Sequence, residues 1–342
     1  MSFSEFVTKN EKIFNGVKKI KYFYWPAEKE SKYLVVTFSG FNGRESKGFP
    51  ASYNYLKPLS KIDCNRLFIL DNYDGHPCYY LGKNKNLDYE LSVASLIYTI
   101  ANEHQISYKN IITCGSSKGG TGALYFGTKY GFGHVVAGGF QVRVGDYLYG
   151  VNRYAKEQVL KLITGGNTEK HKEYLNDYFI DYINYMKLNG TNLHLHGGKG
   201  DPHYLNHVSL FTDILDKRNM LYNLDLKDYS SHSVIGIYFS DFILEKIPSI
   251  TNSLVIKDIS ISKNENNELS VSCSIPNFFS KQPTQYAYYI YKENRKEPIE
   301  KIMYSNNSSL TYKINTPGKY RVRVFVRNEQ EQIAVGSPSI SI

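Results

Sequence analysis

The chain of 342 residues is poor in cysteine, and its four cysteines, Cys64, Cys78, Cys114 and Cys273, lie at no paired spacing. That argues against both a disulfide framework and a zinc knuckle. Cys114 sits within an apolar run and reads as a small core residue. No stretch approaches the roughly eighteen apolar residues of a membrane helix. The opening Met1-Ser2-Phe3-Ser4-Glu5-Phe6 lacks the basic-then-apolar layout of a secretory signal, so a cytoplasmic location is the expectation. There is no GxxxxGK[ST] phosphate loop, no GxGxxG at the first strand, no repeat and no low-complexity tract. The net charge of +9 is spread along the chain without a long Lys/Arg block. Such a distribution favours general attraction to anionic ligands over a dedicated nucleic-acid surface, and no nucleic-acid partner is expected.

What remains is an ordinary globular composition, 42% hydrophobic and 21% charged, with length for one large domain and a small one. The 31 tyrosines offer flat amphipathic area suited to sugars or proteins, although a low-GC coding bias gives the same excess.

The most informative stretch runs from Ile111 to Tyr125: a short apolar strand, a Gly-rich turn, then a helix that begins with small residues. Gly115-x-Ser117-x-Gly119 matches the nucleophile elbow, a sharp strand-to-helix turn that lifts a serine hydroxyl above a sheet. The nucleophile takes a strained backbone conformation, so the elbow glycines Gly115 and Gly119 let strand and helix approach without a Cβ. Gly120 and Gly122 extend the close approach. The helix N-terminus then aims its free N–H groups at an oxyanion. The plain alternative is a Gly/Ser turn that does no chemistry.

Around this stretch the chain reads as alternating strands and helices. Residues 3–15 have a helical pattern, with Phe3, Phe6, Val7 and Phe14 on one side, and Ile20–Tyr24 alternates like a strand. Strands are expected at 33–38 and 67–70, a helix at 92–103, and strands at 134–139, 192–196 and 222–226. Helices follow the last two strands, at 203–217 and 233–245. Residues 141–190 hold two helical patterns that interrupt the alternation, either a cap over the site or two surface helices. The expected fold is α/β, an α/β-hydrolase-like, mainly parallel sheet with helices on both faces over residues 1–249. From Pro248 short alternating strands without an evident helix predict a fibronectin-III-like β-sandwich over residues 250–342.

A serine nucleophile needs a base and an acid that orients the base. In a doubly wound hydrolase they follow in chain order on loops at the carboxyl ends of strands. Asp201 follows the strand at 192–196 and His232 follows that at 222–226, so Ser117, Asp201 and His232 are the expected catalytic residues. Asp201-Pro202 also reads as a turn and N-cap, and His232 as a solvent-facing helix start. Asp228 competes with Asp201 but lies only four positions from His232. The oxyanion hole is expected from the Lys118 amide and that of Phe41 or Asn42, with the Lys118 side chain covering the helix surface. A rival metal set, His194, His196, His203 and His207, lacks the carboxylate and cysteine context, and no metal is expected.

With these residues placed, the first 250 positions resemble α/β-hydrolase-fold serine enzymes. More narrowly, Thr37–Asn42, Cys78-Tyr79-Tyr80-Leu81-Gly82, Gly115–Gly120 and Gly139-Phe140-Gln141 are similar to capsular polysaccharide biosynthesis proteins of the XcbB/CpsF type. They are more distantly like the O-acetyltransferase component of the accessory Sec system. The resemblance implies work on bacterial surface glycans. A serine O-acyltransferase or esterase is expected, acting on a glycan or an acylated small molecule. It would need no cofactor beyond an acyl donor such as acetyl-CoA if a transferase. The alternative is a non-catalytic scaffold or glycan-binding protein that meets capsule biosynthesis proteins through the sandwich.

Overall fold

A computed structural model of the chain describes residues 3–41, 51–150, 154–293 and 295–342. The chain forms two compact units, residues 1–56 with 63–242 and residues 57–62 with 243–342.

The first unit opens with α1 (Phe3–Asn10), β1 (Glu11–Asn15) and β2 (Lys19–Trp25). The helix expected over 3–15 therefore ends at Asn10, because residues 11–15 pair antiparallel with β2, Phe14 opposite Ile20. Cross-strand pairing here overrides a short helical pattern that has no tertiary face of its own. There follow β3 (Leu34–Phe38), α2 (Leu56–Leu59, which belongs from Lys57 onward to the second unit), β4 (Asn65–Ile69), α3 (Asp88–Glu103), β5 (Ile111–Ser116), α4 (Lys118–Lys129) and β6 (His134–Gly138). Next come α5 (Val144–Leu148), α6 (Tyr154–Thr164), α7 (Glu169–Tyr185), β7 (Asn192–Gly198), α8 (Ser209–Lys217), β8 (Asn223–Lys227) and α9 (Ile235–Thr251). α9 runs past Pro248, and the division between the two units falls inside it.

The eight strands form one sheet in the order β1-β2-β4-β3-β5-β6-β7-β8. β1, β2 and β4 pair antiparallel, whereas β4-β3-β5-β6-β7-β8 are parallel. Every residue of β3, β4 and β5 is buried, as expected of apolar runs covered on both faces. The chain leaves β3 for β4 on one side and returns to β5 on the other. The carboxyl ends of β3 and β5 therefore flank the switch point at which ligands bind in open α/β sheets. Register places Ser116 opposite Gly138, Gly138 opposite His196, and Gly198 opposite Lys227. The loops after β5, β6, β7 and β8 therefore leave one common edge.

The second unit is an antiparallel β-sandwich. One sheet is ordered β13-β10-β9, from β9 (Asp258–Lys263), β10 (Glu268–Ser274) and β13 (Ser309–Lys313). The other is ordered β12-β11-β14-β15, from β11 (Gln285–Lys292), β12 (Glu300–Ser305), β14 (Lys319–Arg327) and β15 (Gln332–Gly336), with β16 (Ile340–Ser341) beside β14. Leu269, Val271, Tyr288, Ile290, Val322 and Val324 pack between the sheets. A short helix, α10 (Asn277–Ser280), interrupts what reads in sequence as strands alone.

Candidate active site

Ser117 stands between β5 and α4 with φ 55° and ψ −129°, a left-handed conformation uncommon for a residue with a Cβ. The glycines on either side make this turn possible. A Cβ on Gly115 would lie 2.4 Å from the Gly119 carbonyl oxygen, and one on Gly119 would lie 2.3 Å from that of Phe38. α4 thus packs directly on the carboxyl end of β3, and the Ser39–Phe41 backbone comes beside the elbow. The Gly40 N–H donates to Asn54 Oδ1 at 2.7 Å. Among the described residues neither the Lys118 nor the Phe41 N–H meets an acceptor. Asn42 lies outside the described residues.

The loops after β7 and β8 are laced together. Lys199 N donates to Lys227 O at 2.9 Å, and Gly200 N to Tyr229 O at 3.1 Å. This brings His232 Nδ1 to 2.9 Å from Asp201 Oδ2, while Asp201 Oδ1 accepts the His203 N–H at 2.9 Å. Asp201 is fully buried, and the His232 side chain is about one quarter exposed. Burial opposes ionisation of Asp201, but donation from His232 and the His203 backbone outweighs it and holds the carboxyl below its usual range. Asp228, the competing acid, is exposed.

His232 and Ser117 lie on the same rim, on either side of the β6 terminus. The Ser117 N–H donates to Gly138 O at 2.9 Å, and a Cβ on Gly139 would lie 3.1 Å from His232 Cε1. Among the described residues the Ser117 hydroxyl bonds to Gln141, whose Nε2 donates to Oγ at 3.2 Å. That contact takes an Oγ lone pair and leaves the hydroxyl proton free for a base. Gln141 is itself held: Thr121 Oγ1 donates to its Oε1 at 3.2 Å, and Tyr79 OH does so at 3.3 Å.

Sequence reasoning gave no part in the serine site to three of the residues assembled here. Gln141 is one. His203 is the second: its ring stacks on His232 with centroids 3.5 Å apart, and its Nδ1–H donates to Gly139 O at 2.9 Å. Burial, chiefly, pushes His203 down to about 4, so it is a neutral ring over His232. The third is Asp71. The Lys118 side chain does not cover the helix surface. It is wholly buried, and its Nζ is 2.8 Å from Asp71 Oδ2, also wholly buried. The same carboxylate accepts the backbone N–H groups of Cys78, Tyr79 and Tyr80 at 3.0, 2.9 and 3.3 Å. A lysine in the first turn of a helix reads as a surface residue, and its partner lies in the loop two residues past β4. The only signal in sequence was a carboxylate closing a buried strand.

The four histidines of the rival metal set separate. His194 Nε2 lies 3.4 Å from His134 Nδ1, whereas His196 Nδ1 bonds Asp225 at 2.8 Å and its Nε2 meets Tyr229 OH at 3.2 Å. His203 and His207 lie in the turn after β7 with edge-to-face rings. Among the described residues no group of His, Cys, Asp and Glu could hold a metal ion. Nor, among them, is any helix long and apolar enough to cross a membrane.

No family model matches the chain, and no curated protein matches it. Solved structures do match. A mutant of the capsule O-acetyltransferase of Neisseria meningitidis serogroup A, in complex with CoA, is 22% identical over 68% of this chain and 92% of that one, with a TM-score of 0.56. The same enzyme without the mutation gives 22% identity over the same shares and a TM-score of 0.54. A glycosylation associate protein complex from Streptococcus agalactiae is 19% identical over 70% of this chain and 46% of that one, with a TM-score of 0.55. The protein shares with these its α/β-hydrolase-like fold, a mostly parallel central sheet with helices.

Proposed function

We propose that this protein is a serine-dependent acyl-transfer enzyme, an O-acyltransferase or esterase acting on a bacterial surface or capsular polysaccharide or its precursor. The observation that carries the reading is the strained Ser117 at a helix head, on the same sheet edge as the hydrogen-bonded His232–Asp201 pair.

In this mechanism Asp201 accepts the Nδ1–H of His232, which leaves Nε2 as the base that takes the Ser117 proton. Ser117 Oγ bonds to the acyl carbon, and the carbonyl electron pair moves to oxygen, where the Lys118 N–H and that of Phe41 or Asn42 receive it. The intermediate collapses, the leaving group takes the proton from His232, and an acyl-serine remains. A sugar hydroxyl or water then gives its proton to His232 and attacks the acyl carbon, and Ser117 leaves with that proton restored. Transferase and esterase differ only in this second half, through how well the site excludes water.

A donor such as acetyl-CoA fits the transferase form, in keeping with the CoA-bound neighbour. Capsular polysaccharide biosynthesis proteins of the XcbB/CpsF type are the narrower family we favour, with the accessory Sec component as a more distant relative. The sandwich fits a fibronectin-III-like module, with three strands facing a sheet of four long strands and the two-residue β16. A cytoplasmic setting suits action on precursors.

The test supplies the full chain with acetyl-CoA and p-nitrophenyl acetate, with and without polysaccharide, and follows thiol or phenolate release. Wild type turns over, and Ser117→Ala loses at least about 1,000-fold in kcat. Wild type inert toward both donors, or Ser117→Ala retaining its rate, overturns the reading.

A further inference from the structure

The outward face of the larger sandwich sheet carries cations and rings in alternation. Along β14 the inward residues Tyr320, Val322, Val324 and Val326 are buried, which turns Arg321, Arg323, Phe325 and Arg327 to the other side. Register sets Arg323 opposite Tyr289 and Arg321 opposite Tyr291 on β11. The outward positions of these two strands contain no carboxylate.

The cations sit over the rings. The Arg327 guanidinium carbon is 3.8 Å from the Tyr304 ring centre, Arg321 is 4.2 Å from Tyr291, and Lys301 Nζ is 5.4 Å from Tyr289. Arg327 also donates twice to Gln285 Oε1, at 3.0 and 2.7 Å. These contacts fix the cations without neutralising them. Among the described residues Lys301, Arg321, Arg323 and Arg327 take part in no ion pair. An uncompensated cluster of fixed guanidinium groups repels itself until an anion supplies the missing charge.

Beside Arg327 the face runs into a groove of about 590 Å³. Its lining is mostly amide and hydroxyl side chains, among them Gln282, Gln285, Asn306, Ser308 and Asn328, with Glu329 as the one acid. Paired donors and acceptors of this kind suit sugar hydroxyls.

We propose that this sheet face and its groove bind an anionic polysaccharide, one bearing a carboxylate or phosphodiester in each repeat unit. The guanidinium groups take the charges and the groove takes the hydroxyls. Single-stranded nucleic acid fits less well, because it needs open ring faces for its bases. Here Arg321 and Arg327 already cover the rings. A lipid surface makes no use of a polar groove. The proposal names the polymer class for the acceptor in the proposed function and rests on that reading for its biological sense, but the binding is measured independently of catalysis.

The experiment is affinity electrophoresis of the full chain through gels containing polygalacturonate, a phosphodiester-linked capsular polysaccharide or neutral dextran, with oligo-dT and anionic vesicles as competitors. An acidic polymer retards wild type, more weakly as salt rises, and dextran does not. Replacing Arg321, Arg323 and Arg327 together by Gln weakens binding about tenfold or more, each exposed ion pair contributing less than a factor of ten. The corresponding triple Lys variant retains most of it, which separates charge from folding. Hydrolysis of p-nitrophenyl acetate is unchanged in the Gln variant. No retardation by either acidic polymer, retardation equal in the Gln variant, or displacement by oligo-dT or vesicles at lower concentration than by free polysaccharide overturns the proposal. Retardation by a protein with no esterase or transferase activity leaves it standing while removing the proposed function.

Discussion

The buried Lys118–Asp71 pair is the most demanding element of the site, and its removal has a computable signature. Both side chains are wholly buried with Nζ and Oδ2 2.8 Å apart. Lys118→Met leaves the Asp71 carboxylate with three backbone donors and the Cys78 thiol at 3.3 Å. Asp71→Asn instead strands the ammonium beside the Tyr80 ring, 5.0 Å from its centre. Breaking a buried pair from one side costs about 3–5 kcal/mol, so Lys118→Met belongs at the lower end and Asp71→Asn at the upper. The double variant leaves no unpaired charge, and its loss falls short of the sum by about 2–3 kcal/mol. The assay is urea unfolding followed by the fluorescence of the single tryptophan, Trp25, which lies in the first unit. The pair also anchors the residue whose N–H is the proposed oxyanion donor. Asp71→Asn therefore lowers kcat of the folded fraction about 100-fold with KM little changed, as for loss of one oxyanion donor. Additive stability losses within about 0.5 kcal/mol, or an unchanged kcat, would refute the reasoning.

Burial pushes both His203 and His207 from 6.5 to about 4, so the fold keeps them neutral. Between those values the unfolded chain binds protons that the folded chain refuses. Their contribution is complete above about pH 6.5 and is lost as pH falls toward 4, by roughly 3 kcal/mol for each ring. Urea midpoints from pH 7 to 4 show this slope, and His203→Gln reduces it by about one proton; an identical slope in the variant contradicts the assignment. Gly119→Ala drives a methyl to 2.3 Å from the Phe38 carbonyl oxygen, backbone that has no side-chain freedom to yield. The expected loss is about 1–3 kcal/mol together with most of the activity, and a variant as stable as wild type in the same unfolding assay would show the elbow to be looser than described.

The fold was legible where a physical signal was local. Continuous apolar runs such as 33–38 and 111–114 announced strands buried on both faces, and strand–helix alternation announced parallel pairing. The loops after the strands expected at 192–196 and 222–226 were recognisable as strand ends, and in the structure Asp201 and His232 meet there. The elbow was legible because steric crowding restricts it to glycine at two positions. What the sequence hid depended on partners far along the chain. Residues 11–15 become a strand only because β2 lies beside them. Lys118 is buried only because Asp71, 47 positions earlier, meets it. Gln141, noted only within the Gly139-Phe140-Gln141 block, and His203, weighed only as a metal ligand, carried no sign of their place beside the serine and the imidazole, since an amide and a stacked ring gain meaning only from the groups they touch. The stretches at Thr37, Cys78, Gly115 and Gly139, apart in sequence, meet once folded: Tyr80 OH bonds Ser39, Tyr79 OH bonds Gln141, and Asp71 ties the Cys78 loop to the elbow.

The claim on which the account turns is that His232, oriented by Asp201, activates Ser117. The direct measurement is the rate of covalent labelling by a fluorophosphonate probe, with the modified residue located by peptide mass spectrometry, in wild type, His232→Ala and Asp201→Asn. The account predicts a single adduct on Ser117 that forms in wild type and slows by at least about 100-fold when His232 is removed, in line with the contribution of a general base. No adduct on Ser117 in wild type, or labelling of His232→Ala at the wild-type rate, would contradict it.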